Sequence, residues 1–266
     1  MKLSHTPLAA VLSLVAAGAF AQAKAPEPDY TLSFNAGVVT DYRYRGISQS
    51  RLKPAVQGGL DFAHKSGLYA GAWASSIKWI TDYNLAAAPV DGSVELDLYA
   101  GYKGSINKDV GYDVGVLAYQ YVGNSLKNTL GGGVFANANT TELYGAITTG
   151  PITAKYSHSV GKTLFGAINS KGAGYIDLSG TFDLGDGWTV IPHLGYQRVS
   201  SKATAFYGMP LSYTDYSLTV TKDLGNGLVG SAALIGTNAD KDYYVSPVND
   251  KFLGKGGLVL GLKYNF

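Results

Sequence analysis

Cysteine is absent from all 266 residues, which excludes a disulfide framework, a thiolate metal site and a thiol nucleophile. Charge is scarce. Asp, Glu, Lys and Arg make up 15% of the chain and leave a net charge of +2, too little to argue for nucleic acid. Past the N-terminal segment no stretch reaches 18 uninterrupted apolar residues, and mean hydropathy is only +0.03, so a transmembrane helix is excluded there. Histidine occurs four times. No metal-ligand cluster, phosphate loop or Ser-elbow motif appears, and no cofactor is expected. What is abundant is glycine, with 35 residues, and tyrosine, with 20. Together they suit many short strands joined by turns.

The two ends say where such strands are made. Lys2 precedes the uncharged run Leu8–Phe20, which closes on Ala19-Phe20-Ala21 or Ala21-Gln22-Ala23, both small-x-small cleavage sites. Residues 1–21, or 1–23, therefore read as a signal peptide, with 22–266 as one domain. The last residues set Leu258, Leu260, Leu262, Tyr264 and Phe266 on one parity and Val259, Gly261, Lys263 and Asn265 on the other. A final strand of that kind, ending on an aromatic, resembles the close of bacterial outer-membrane barrels. The resemblance implies recognition of the Phe266 end by the barrel assembly machinery.

Between the ends, segments of about ten residues alternate with period two. Leu32, Phe34, Ala36, Val38, Tyr42 and Tyr44 share a parity opposite Asp41, Arg43 and Arg45, predicting one long first strand. Val94, Leu96, Leu98 and Tyr102 oppose Glu95, Asp97 and Lys103; Ile176, Leu178 and Phe182 oppose Asp177. About twelve such segments follow one another, the third (Leu68–Trp79) and the eleventh (Leu228–Asn238) being weak in phase. The expected fold is all-β: an antiparallel up-and-down transmembrane β-barrel.

The connections alternate in length. Short links at His64–Gly67, Ser105–Asp109, Gly150-Pro151, Asp183–Gly187 and Asp223–Gly227 are separated by long segments such as Gly46–Lys53, Val122–Asn139 and Ala239–Lys255. Short periplasmic turns and long outer loops are the pattern of an outer-membrane barrel, and an even strand number puts both termini in the periplasm. The Gly- and Asn-rich loop Val122–Asn139 reads as flexible rather than as a formed binding surface.

Lipid offers no hydrogen bonds, so charged residues must mostly face the lumen. The parity assigns Asp41, Arg43, Arg45, Gln57, Asp61, Glu95, Asp97, Lys103, Asp113, Glu142, Lys155, Asp177, His193, Asp215 and Lys263 to the interior. Tyr42, Tyr44 and Tyr196 fall outward at one end, and Tyr102, Trp188, Tyr264 and Phe266 outward at the other, as two interfacial girdles. The phase also predicts that Arg43 and Arg45 pair across strands with Asp61 and Gln57 near the outer mouth.

A mixed-charge lumen reads first as a channel for ions or small polar solutes. The alternatives are a closed lumen whose charges satisfy each other, an adhesin whose loops make the contacts, and a lipid-modifying enzyme. The last has one candidate, Tyr156-Ser157-His158-Ser159, but there His158 points to lipid while Ser159 faces inward, and a nucleophile and base must share a face. No catalytic residue is assigned. Lipid, solutes and the assembly machinery are the expected partners.

The segment Asp41-Tyr42-Arg43-Tyr44-Arg45-Gly46-Ile47-Ser48-Gln49-Ser50, with Pro54–Asp61, Ser66–Trp73 and Glu95–Tyr102, resembles the opening of the TorF-type porins of proteobacteria. The likeness covers roughly the first 100 residues. It implies an outer-membrane barrel with channel activity, no defined substrate and no catalytic residues.

Overall fold

Alternating segments split by Gly, Asp and Asn pair with their chain neighbours as antiparallel hairpins. In the computed structural model, which describes residues 28–84, 89–129 and 132–266, these hairpins join into one sheet. The strands are β1 Tyr30–Val39, β2 Ala55–His64, β3 Leu68–Ser76, β4 Val94–Ser105, β5 Val110–Val122, β6 Thr140–Thr149 and β7 Ile152–Ser159. They continue with β8, in two pieces Gly174–Gly180 and Phe182–Gly185, then β9 Trp188–Arg198, β10 Tyr213–Gly225, β11 Leu228–Thr237 and β12 Gly257–Asn265. Strand β1 also pairs with β12, Ala36 opposite Tyr264 and Val38 opposite Leu262, which closes twelve strands into a barrel without a free edge. The signal-peptide reading falls on residues outside those described.

One end of the barrel carries only tight turns. The two near-copies adopt the same conformation: Gly185-Asp186-Gly187 has φ of 83°, 50° and 76°, and Gly225-Asn226-Gly227 has 86°, 51° and 81°. Three consecutive positive φ values demand Gly and the short polar residues that tolerate the left-handed region. The other end carries the long connections, including helix α1 Ser201–Tyr207, capped by the Ser200 side chain and ended by Gly208 at φ 70°. These loops are packed, with Ile80, Leu126, Ala138 and Ala203 at 0% exposure. The flexible reading of Val122–Asn139 is thereby corrected for its described residues. Leu126 and Ala138 anchor it in an apolar core, and Phe135 meets the Tyr83 ring at 5.1 Å.

The wall has two faces. Phe34, Val56, Leu98, Leu143, Leu178, Leu234 and Leu258 point outward on seven strands around the wall, with Leu258 at 59% exposure, on an apolar belt suited to lipid. The phase of the two ambiguous strands is now fixed. In β3 Leu68 faces out while Tyr69 bonds into the lumen, and in β11 Leu234 faces out while Ala233 is buried. At the turn end Tyr30 stacks on Phe62, Tyr264 meets Phe266 edge to face, and Lys222 lies over Trp188, forming one girdle.

Part of the glycine and tyrosine surplus has a structural cause inside the wall. Lumen-facing glycines sit directly across from lumen-facing tyrosines: Gly71 opposite Tyr99, Gly101 opposite Tyr69, Gly115 opposite Tyr144. Each tyrosine reaches over its glycine, into the space a Cβ would take. The hydroxyls then reach carboxylates, Tyr99 to Asp61 and Tyr69 to Asp113.

Candidate functional site: an inward hairpin across a charged lumen

Strand β1 stops at Val39, short of the long first strand expected. Thr40 makes the last bond to β12, its N–H to the Leu260 carbonyl at 2.9 Å. Beyond it local side chains take over the backbone, as Ser and Asp do when they compete with a ladder. The Ser50 hydroxyl accepts the Tyr42 N–H at 2.9 Å, and the Asp41 carboxylate accepts from the Ser48 and Ser50 hydroxyls at 2.5 and 3.0 Å. The chain turns into the barrel and makes a small hairpin, Arg43–Tyr44 against Ile47–Ser48. Its two tip residues, Arg45 and Gly46, have φ of 47° and 78°, as a two-residue hairpin turn of type I′ requires.

Two expectations are corrected by this hairpin. Tyr42 and Tyr44 are not part of an outward girdle: Tyr42 is buried against Trp73, and Tyr44 packs inside on Tyr119 and Phe165. Arg43 and Arg45 do not pair with Asp61 and Gln57, because they are no longer on the strand beside β2. Asp61 accepts from Tyr99, and Gln57 reaches the Ser75 hydroxyl at 3.4 Å. Arg43 pairs with Asp41 and ties the hairpin to the last loop, donating to the carbonyls of Gly46, Leu253 and Lys255. Arg51 clamps Asp82 in the neighbouring loop, which also accepts from Ser246 at 3.2 Å.

Arg45 carries the hairpin across to the far wall. Its guanidinium donates to Glu142 on β6 at 2.7 Å and to Gln197 on β9 at 2.6 Å. It lies between the rings of Tyr44 and Tyr175, at 4.7 and 4.1 Å. Gly46 abuts Asp215 and Thr237, where a Cβ would come within 2.8 and 3.2 Å of their side chains.

The remaining candidates lie on the lumen side, in three groups. Beside the hairpin, Glu95 accepts from the Tyr42 hydroxyl at 2.9 Å, and both Glu95 and Asp97 keep one carboxylate oxygen without a partner. Beyond the tip, His193 bridges Asp177 through Nδ1 and Asp215 through Nε2, each at 2.9 Å, and Tyr175 also donates to Asp215. Nearer the turns, Lys155 lies over the Tyr144 ring at 4.0 Å, Lys103 is 3.9 Å from Asp113, and Lys263 is exposed on the lumen parity of β12. Ser157 and Ser159 are buried while His158 is exposed on the opposite face, so they make no nucleophile–base pair.

Two cavities lie along the barrel, and Tyr44 and Arg45 of the hairpin line both. One, of about 370 Å³, is walled by lumen residues including Lys155, Ser157, Asp177, His193 and Asp215. The other, of about 140 Å³, is held among the loops by aromatic side chains. The loop phenols are held neutral: burial, then the neighbouring Tyr207 and Asp82, pushes Tyr83 up to about 12. Sequence reasoning missed these loop aromatics because they obey no strand period. It also missed the hairpin, whose Arg-Gly turn is not among the common Asn-Gly and Asp-Gly signals.

A closed antiparallel barrel of twelve strands, with an apolar exterior and a charged interior, is a transmembrane barrel of porin architecture. The structure is similar to that of the KdgM porin, with a TM-score of 0.52 at 8% identity over 88% of this chain and 99% of that one. It is likewise similar to the NanC porin, with a TM-score of 0.51 at 9% identity over 89% and 99%. Residues 22–266 match the model of a bacterial family of unknown function, Gcw_chp, and the chain belongs to that family. No match is found among the curated proteins.

Proposed function

We propose that this protein is an outer-membrane channel for passive diffusion of ions or small polar solutes, with the inward hairpin as its constriction. The supporting observation is that Tyr44 and Arg45 line both the loop-end cavity and the lumen cavity. A barrel with a side-chain-filled interior would have no such space to divide. The solute path runs from the loops, past the hairpin tip, and out between Lys155, His193 and the facing acids. Lumen-directed Asp and Glu outnumber Lys and Arg, which makes a slight cation preference the expected selectivity. The porin likeness supports the architecture, and the resemblance of Asp41–Ser50 to the TorF-type porins supports the same class. The orientation that goes with it puts turns and termini in the periplasm and loops outside. No catalytic role is assigned to any side chain.

The pinned state of Arg45 favours a second reading, a closed structural barrel in which the hairpin is a permanent plug. Refolded protein in planar bilayers separates the two. Discrete current steps with a salt-gradient reversal potential on the cation side support the channel. Bilayers that stay silent at high protein concentration support the plug.

A further inference from the structure

We propose that the loop-end cavity is a binding site for a neutral compound built on a single aromatic ring. The cavity measures about 140 Å³. That is close to the roughly 150 Å³ of an engineered apolar cavity that takes up benzene. The hairpin and four of the loops around it contribute rings, Tyr44, Trp79, Phe135, Phe165 and Tyr243, and the end of β5 adds Tyr121. Several of those rings already meet edge to face, Trp79 on Tyr121 at 5.5 Å and 88°, Tyr121 on Phe165 at 6.4 Å and 82°. Aromatic pairs prefer that geometry, and an added ring would find the same edges and faces.

The polar groups of the wall argue for the same class. Asp82 is taken by Arg51 and Ser246, the Gln197 carbonyl by Arg45, and the Gln49 amide by the Ile47 carbonyl at 3.0 Å. Trp79 Nε1 is a buried donor without a partner, which a single acceptor on a ring compound would satisfy. A sugar or other polyol of similar size would still leave most of its hydroxyls poorly paired, at a cost of about 1–3 kcal/mol each. Close-packed interiors leave few voids larger than a water molecule, so a ring-sized one among half-buried aromatics, backed by the buried Leu164, Ala167, Leu211 and Leu253, is a built space. Because the tip that floors this cavity also lines the lumen cavity, a bound ring would stand at the entrance to the solute path. That last step rests on the channel reading, whereas the binding itself does not.

Trp79 supplies the probe. The chain holds three tryptophans, and W73F/W188F leaves Trp79, in the cavity wall, as the single emitter. Titrated with 4-nitrobenzyl alcohol, the refolded protein is expected to show saturable quenching. Benzyl alcohol should reverse it, and glucose at the same concentration should not. Filling the space with A167F, at a buried wall position, should weaken the quenching at least tenfold. Linear quenching of equal slope in both proteins would mean partitioning into detergent and would overturn the site, as would protection by glucose. Should A167F fail to fold, the competition between benzyl alcohol and glucose decides alone. Bilayer conductance is read separately, so saturable quenching in a silent barrel would end the channel reading and keep the site.

Discussion

Arg45 and Glu142 meet at 2.7 Å across the lumen, with side chains 6% and 1% exposed, although 97 positions separate them in the chain. The pair fixes the hairpin tip to the far wall, and the buried Glu142 carboxylate accepts besides only from the Tyr119 hydroxyl, at 3.3 Å, among the described residues. Arg45 also holds a left-handed backbone, which a non-glycine residue keeps only where its surroundings over-determine it.

Arg45→Ala removes that anchor and strands a buried carboxylate. Loss of one partner of a buried ion pair costs about 3–5 kcal/mol, so the urea midpoint of the refolded barrel should fall. Single-channel current should rise, and the reversal potential should move further to the cation side. The double variant R45A/E142Q should recover part of the stability and keep the larger current. Unchanged currents in both variants would count against the hairpin as the constriction.

Gly46→Val acts on the same tip by sterics. At φ 78° a branched side chain is strained, by about 1–3 kcal/mol, and its Cβ would meet Asp215 at 2.8 Å. The hairpin should leave the far wall, giving larger or longer openings at unchanged ion preference, since no charge is altered. Currents like those of the parent protein would place the constriction elsewhere.

Asp215→Asn tests the acids beyond the tip. Asp215 is buried and accepts from both Tyr175 and His193, each at 2.9 Å. Removing its charge leaves His193 one carboxylate instead of two and makes the path more positive. The reversal potential should move toward the anion side, with the largest shift at low salt, where screening is weakest. A shift of the opposite sign, or none, would mean that ions do not pass this group.

The barrel was legible because lipid imposes one rule on every strand: charges in, apolar groups out. That rule placed Glu95, Asp97, Glu142 and Asp177 on the lumen side with no knowledge of their partners. The turn rhythm was legible for an equally local reason, since Asp-Leu-Gly-Asp-Gly and its near-copy encode positive φ directly. Asp41–Gln49 escaped because its period continues that of β1, and alternation says which residues share a face, not where a strand ends. The decisive contacts there are Asp41 with Ser48 and Ser50, hydroxyl bonds that leave no periodic trace. The loop cavity was hidden for a further reason, its rings coming from segments as far apart as Tyr44 and Tyr243.

Gly71 and Tyr99 test the rule that ties the glycine content to the tyrosine content. They face each other across β3 and β4, and the Tyr99 ring occupies the space of a Cβ on Gly71. Gly71→Ala should therefore destabilise the barrel by about 1–3 kcal/mol through overpacking. Tyr99→Ala alone should also destabilise it, by exposing the glycine and releasing Asp61 from its hydroxyl partner. In the double variant the clash disappears, so the two costs should not add, and a coupling of about 0.5–3 kcal/mol should remain in urea unfolding. Additive costs would mean that the ring can move aside freely. The pairing would then be a consequence of strand composition, with no part in setting the register of the wall.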